Sequence, residues 1–175
     1  TKPHPNDFYG DSKLQAENGL RKLESSSFKV ALLRPCMIYG LGNKGNLPRL
    51  AWLATKTPIF PAWHNKRSMI HVYNLAELVR QVILRELSGI FHPQNKEYAD
   101  TVEIVCYFAK KYNKKVWITV GINPLVWLGS FFLKSICKMF ADSCYDQKIS
   151  TYDFEYQVVK FEESLKDVEA RKNMK

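Results

Sequence analysis

The chain has 175 residues, 46% of them hydrophobic, 13% aromatic and 25% charged, with a net charge of +9. This composition excludes intrinsic disorder and low complexity, and it supplies enough apolar mass for the core of one domain or of two small lobes sharing a core. The charge leaves two readings open, an anionic partner or a solvated basic surface: no acidic residue falls between Glu24 and Glu77, where Lys29, Arg34, Lys44, Arg49, Lys56, Lys66 and Arg67 lie, and such a stretch suits a diphosphate as well as a nucleic-acid backbone.

The opening Thr1-Lys2-Pro3-His4-Pro5 has neither an initiator Met nor a signal-peptide apolar run, so the sequence reads as starting mid-gene. Helix formers over 11–24 predict a helix with Leu14, Leu20 and Leu23 on its buried face, closed by Ser25-Ser26-Ser27. The apolar run 28–33 predicts a strand. Helix followed by strand at this spacing is the second half of a βαβ unit and argues for a parallel sheet. Residues 40–48, rich in Gly and Pro, read as loop, 50–54 as helical and 68–72 as a strand. Asn74 is an expected N-cap for a helix over 75–87, with Leu75, Leu78, Val79, Val82 and Ile83 inward. Further helices are expected over 102–112, 124–140 and 161–171. The expected fold class is α/β. Residues 1–92 would be the remainder of a doubly wound, Rossmann-like domain with substrate loops, and residues 93–175 a smaller, mainly helical substrate-binding lobe.

Cys36, Cys106, Cys137 and Cys144 form no CxxC pair and no metal-site spacing, which predicts reduced, mostly buried thiols in a cytoplasmic protein. His64 and His71 lack a third ligand nearby, so no metal is expected. Residues 118–133 carry no charge over 16 positions. A membrane span needs about 20 apolar residues. Pro124, Lys134 and Lys138 interrupt this run, which favours an amphipathic surface helix over a span.

Tyr9 and Lys13 form a YxxxK pattern, one helical turn apart, so a phenol and an ammonium face the same side. An ammonium there stabilises phenolate and makes the tyrosine a usable general acid or base. The spacing also occurs at Tyr107/Lys111 and Tyr156/Lys160, so it carries little weight alone. Gly40-Leu41-Gly42-Asn43-Lys44-Gly45 reads literally as GxGxxG. A dinucleotide fingerprint needs an acidic residue about 20 positions on. None precedes Glu77, and Arg34-Pro35 breaks the strand early, so that reading is rejected.

Three blocks together are specific: YGDSKLQAE (9–17), LRPCMIYGLGNKGNLPRL (33–50) and RSMIHVYNLAELV (67–79). In this order they resemble the extended short-chain dehydrogenase/reductases, in the NAD-dependent epimerase/dehydratase branch that includes UDP-galactose and UDP-glucose 4-epimerases. The tail TYDFEYQVVKFEESL (151–165) is similar to that of bacterial cell-envelope sugar-nucleotide enzymes of this group. The resemblance implies Tyr9 and Lys13 as the catalytic pair, with Tyr9, Lys13 and Pro35 against NAD or NADP. It implies Asn46, Leu47, Phe60 and Arg67 at a nucleoside-diphosphate sugar, a UDP-sugar first of all. By the residues alone, Phe60 reads equally as core and Asn46 as a helix cap. The family's HVxD stands here as His71-Val72-Tyr73-Asn74.

The resemblance also implies that the glycine-rich first βα turn and the catalytic Ser or Thr lie upstream of Tyr9. The chain is therefore expected to be a C-terminal piece of a homodimer-compatible parent enzyme, inactive and without strong NAD affinity by itself. Epimerisation of the sugar is the expected activity of the parent. A 4-reductase or 4,6-dehydratase is the enzymatic alternative, and a non-catalytic basic module for an anionic polymer or membrane surface is the other. Neither nucleic acid nor a membrane span is expected.

Overall fold

The computed structural model describes residues 5, 7–43 and 45–169. Asp7 opens the first helix: its carboxylate accepts the Gly10 amide at 2.7 Å, and α1 runs from Phe8 to Arg21, so it begins three residues before the expected start. No residue of α1 is buried. The expectation that Leu20 and Leu23 face inward is wrong, for they are 44% and 59% exposed. Nothing among the described residues packs over that face. The helix is instead fastened by Glu17, which accepts Arg34 through Nε at 3.0 Å and Nη2 at 2.5 Å, and Arg21 at 2.7 Å.

Six short strands pair two by two, all in parallel: β1 (Ala31–Leu33) with β5 (Gly89–Phe91), β2 (Met37–Tyr39) with β4 (Met69–His71), and β3 (Ile59–Pro61) with β6 (Trp117–Thr119). Parallel neighbours require crossovers, and helices supply them: α2 (Asn46–Lys56) lies between β2 and β4 in the chain, α3 (Val72–Leu84) between β4 and β5, and α4 (Thr101–Lys111) between β5 and β6. The α/β class with a parallel arrangement is as expected.

Leu47, Leu50, Ala51 and Ala54 recur at the spacing of one helical face, and all are buried in α2. That face meets α4, whose Val102, Val105, Phe108 and Ala109 are buried in turn. The Asp100 carboxylate caps α4 by accepting the Val102 and Glu103 amides at 2.7 and 3.0 Å. Phe60 and Phe140 add a ring contact at 5.8 Å to the same core. A second core gathers Ile70, Leu78, Val82 and Phe91 under Phe154 and Tyr156 of the tail.

Five other expectations give way. Asn74 does not cap α3; His71 holds that position, and Asn74 sits buried inside the first turn. Its amide donates to Asn95 Oδ1 at 3.0 Å and to the Val159 carbonyl at 2.9 Å, while its Oδ1 accepts the Val159 amide at 2.8 Å. The tail thus claims the side chain that a local rule assigns to the helix. Ile83 is 67% exposed rather than inward. The helix expected over 124–140 is two, α5 (Asn123–Phe132) and α6 (Lys134–Phe140), broken where Leu133 turns to φ −118°, ψ 101°. The helix expected over 161–171 is a single turn, α7 (Phe161–Ser164), continued by a 3₁₀ turn at Leu165–Asp167; positions 170 and 171 lie outside the described residues. The cysteines are unpaired as expected, but Cys106, Cys137 and Cys144 are exposed, not buried.

Candidate functional site

Arg67 is held from both ends. Its backbone exchanges 2.9 Å hydrogen bonds with Ala99, and its Nη1 donates to the carbonyls of Lys138 at 2.8 Å and Met139 at 2.9 Å. The side chain is half-buried, which pushes its pKa down. It keeps its charge all the same, as arginine does in any protein environment.

This anchored guanidinium borders a cavity of about 470 Å³ lined also by Asn46, Leu47, Arg49, Trp52, Met37 and Lys138. On its other side lies a smaller cavity of about 310 Å³ with Cys36, Ser68, Cys144 and Tyr145 in its wall. The larger cavity has the size of a small-molecule site and the composition of one: apolar walls with a few placed charges. Three residues expected at the sugar nucleotide, Asn46, Leu47 and Arg67, therefore share one cavity.

Phe60 does not line that cavity. It is 3% exposed and packs on Phe140, so its aromatic ring serves the core. Pro35 is the second residue after β1 and is half-buried. Of the seven cations in the acid-free stretch, Lys29 pairs with Glu86 at 3.1 Å and Arg34 with Glu17. Lys44 lies outside the described residues. Arg49, Lys56, Lys66 and Arg67 have no carboxylate partner among the described residues.

Tyr9 stands in the first turn of α1, 72% exposed, with Lys13 Nζ 5.3 Å from its ring centroid. The i, i+4 spacing on a helix brings the two together as the sequence implies. The phenol oxygen has no hydrogen-bond partner among the described residues, and neither Tyr9 nor Lys13 lines the Arg67 cavity. Tyr107, which shares the spacing, leans instead on Phe108 at 5.4 Å beside the core, and Tyr156 donates its hydroxyl to the Gln94 carbonyl at 2.7 Å inside it. Only the first of the three pairs is open.

The glycine loop between β2 and α2 tests whether the described residues could cradle a dinucleotide pyrophosphate. Such a cradle needs free amides at a helix N-terminus. Here Asn43 Oδ1 already takes the Gly45 amide at 2.6 Å, its Nδ2 donates to the Ile38 carbonyl at 2.7 Å, and Pro48 removes a donor from the first turn. The loop is closed on itself and does not fit the group. No group of ligating side chains that could hold a metal exists among the described residues.

Arg49 and Trp52 were not singled out from the sequence as cavity residues. The signal was available: with α2 starting at Asn46, Arg49 is three residues on and shares its face. A helix started at Leu50 hides that relation. The Lys138 and Met139 carbonyls, which orient Arg67, have no sequence signal at all.

No protein-family model matches the chain. A curated UDP-glucose 4-epimerase from Vibrio cholerae is 33% identical over 138 residues, which is 75% of this chain and 42% of that relative. The chain thus spans less than half the length of the curated protein it matches. The fold aligns with RMD from Pseudomonas aeruginosa complexed with NADPH, at TM-score 0.65 and 13% identity over 95% of this chain and 56% of that one. It aligns with dTDP-glucose 4,6-dehydratase from Bacillus anthracis in complex with NAD, at TM-score 0.64 and 17% identity over 96% and 52%. At these identities the two structures establish the fold, while the curated relative speaks to lineage. With the three motif blocks in order, the chain belongs to the extended short-chain dehydrogenase/reductases, in their NAD-dependent epimerase/dehydratase branch.

Proposed function

We propose that the enzyme containing this chain epimerises a nucleoside-diphosphate sugar, a UDP-sugar first of all, with NAD or NADP as the redox partner. The observation that carries the proposal is the single cavity that gathers Asn46, Leu47 and an anchored Arg67 beside the carboxylate-free Arg49. A diphosphate brings about two negative charges, and a guanidinium presents a planar fork that matches two phosphate oxygens. Arg67 spends Nη1 on backbone carbonyls and keeps its remaining donors for such a ligand. Arg49 on the next helix face adds a second cation. Leu47 supplies the apolar floor, and Asn46 an amide at the rim.

A bound NAD or NADP would supply the hydride acceptor, and afterwards the donor, for the sugar carbon. Tyr9 would take the hydroxyl proton of the sugar at its phenol oxygen, with the Lys13 ammonium 5.3 Å from its ring. Lys13 also offers donors to the nicotinamide ribose. Pro35, at the end of β1, would flank the cofactor. Phe60 has no role in this reading, since its ring is taken up by the core.

The test is thermal shift of the chain with UDP-glucose, beside an oligonucleotide of equal charge, at several salt concentrations. A sugar nucleotide that raises the melting temperature, with an effect cut about 10- to 100-fold in affinity by Arg67→Lys, supports the site, a loss that corresponds to one charge-assisted contact. Arg67→Lys must keep the melting temperature of the free chain within a few degrees for that comparison to stand. Stabilisation by oligonucleotide alone, falling steeply with salt, would replace the sugar nucleotide with an anionic polymer.

A further inference from the structure

Two faces of the molecule expose large apolar side chains, and one of them carries its own charge signature. On α5, Leu125, Trp127, Leu128, Phe131 and Phe132 are 68%, 56%, 52%, 67% and 77% exposed. At about 100° per residue they fill a continuous arc of about 160° of the helix surface. Val126, Gly129 and Ser130 occupy the opposite side, where Gly129 lies against Ile136 of α6. Trp127 and Phe131 hold an edge-to-face contact at 4.9 Å, so the exposed rings are mutually ordered. Trp117 and Val120, 73% and 71% exposed on the approach to α5, and Leu133, 55% exposed at its end, extend the patch.

The surrounding charge is of one sign. From 104 to 141 the chain has no Asp or Glu, and it carries Lys110, Lys111, Lys114, Lys115, Lys134 and Lys138. Of the acids that bound this stretch, Asp142 accepts the Lys66 amide at 2.7 Å, and Glu103 stands in the first turn of α4. An apolar arc rich in Trp and Phe beside lysines, on a helix of ten residues, has the layout of an element that lies in a membrane interface. Ten residues reach about 15 Å, half of a hydrocarbon core, and no described helix is long and apolar enough to cross a membrane.

We propose that the α5–α6 hairpin is a peripheral docking surface for an anionic lipid membrane, with the aromatic arc in the interface and the exposed Lys114 and Lys115 against the headgroups. Charge complementarity selects this occupant over a second copy of the chain. A two-fold copy would set the lysines of one protomer beside those of the other, and the stretch offers no carboxylate to answer them. Lys111 is spent on the Leu165, Lys166 and Val168 carbonyls, and the exposed Lys110, Lys114 and Lys115 are left for anionic headgroups to answer.

The experiment is vesicle flotation of the 175-residue chain, with phosphatidylcholine vesicles and with vesicles in which about a third of the lipid is phosphatidylglycerol. The chain should float with the anionic vesicles, Trp fluorescence should shift to the blue, and raising salt from about 0.1 M to about 0.5 M should weaken binding. Lys114→Ser with Lys115→Ser should lower partitioning by about 25-fold, at about fivefold per lysine. Trp127→Ser with Phe131→Ser should abolish the blue shift. All four side chains are exposed, and an unchanged circular dichroism spectrum confirms that each pair folds. Equal binding to both vesicle types, no binding to either, or binding untouched by the aromatic pair overturns the proposal. A concentration-dependent dimer in sedimentation equilibrium, dissolved by Trp127→Ser with Phe131→Ser, also overturns it and assigns the face to self-association.

Discussion

α1 and α2 each carry candidate site residues, and they are built in opposite ways. α2 buries Leu47, Pro48, Leu50, Ala51 and Ala54 against α4, so the wall of the Arg67 cavity is part of the main core. α1 buries nothing and is tied to the rest by the Glu17–Arg34 pair. In the first case the residues that would hold a ligand are fixed by the same contacts that fold the chain. In the second, the residues that would move a proton stand on a surface helix whose loss costs the core nothing. Chemistry and stability are therefore separable at Tyr9 and inseparable at Leu47.

The sharpest test of that contrast is Tyr9→Phe in the complete enzyme. Removing a general acid/base should lower kcat by about 10²–10⁴-fold with a much smaller change in KM. Because Tyr9 is 72% exposed, the melting temperature should not move. Tyr107→Phe is the control, and equal damage there would refute the choice among the three YxxxK pairs.

Next in size is Leu47→Ala. Leu47 is 2% exposed, and deleting a buried leucine side chain should cost about 2–5 kcal/mol in urea denaturation. Leu20→Ala on α1 should stay within about 0.5 kcal/mol, as surface changes do. Similar costs at the two positions would break the comparison.

Glu17→Ala asks how α1 is held. The pair it forms with Arg34 is 14% and 27% exposed at the side chains, and the guanidinium beside Glu17 lowers its pKa. Solvent screening limits the loss to about 1 kcal/mol. Cleavage by limited proteolysis should nevertheless rise first in 8–21, since among the described residues no other side chain of α1 makes a hydrogen bond or ion pair beyond the helix.

The smallest effect is acid sensitivity from His71. This ring is fully buried between Tyr39 at 5.3 Å and Tyr73 at 5.1 Å, with neither nitrogen hydrogen-bonded and the Asp167 carboxylate 3.6 Å away. Burial lowers its pKa from 6.5. Above that value both folded and unfolded chains are neutral there. As pH falls below it, the unfolded chain takes a proton that the folded one refuses, so stability declines. His92, also depressed by burial, adds to the same window. Glu17 and Glu155, whose pKa values are lowered from 4.5, protect the fold until the pH drops further. A melting temperature that falls by about 2–4 °C between pH 7 and pH 5.5, and less in His71→Gln, is expected.

Much of this was legible along the chain, because the signals involved are local. The face of α4 follows from helical periodicity, the parallel class from the helix–strand order, and the Tyr9–Lys13 pairing from the length of one helical turn. Spacing alone could not rank the three YxxxK pairs. The motif block around Tyr9 singles it out, and the structure adds that Tyr107 and Tyr156 pack at the core while Tyr9 is exposed.

Other expectations failed where a distant segment outbid a local rule. Asn74 is a good cap by type, yet the Val159 backbone, 85 positions on, offers it a donor and an acceptor that a helix end cannot match. The apolar run 118–133 has the length of a helix, and nothing in its own residues announces the turn at Leu133 that folds α6 back on α5. Leu20 and Leu23 carry the pattern of a buried face with no neighbour to bury it.

The sequence by itself determined the class of the fold, the pairing of Tyr9 with Lys13 and the lineage written in three blocks. These depend on one turn of helix, on strand order, or on side-chain identity. The shared cavity of Asn46, Leu47 and Arg67, and the carbonyls of Lys138 and Met139 that orient its guanidinium, were decided by tertiary structure alone. They join residues 71 and 72 positions apart, and no local energy term connects groups at that separation until the chain has folded.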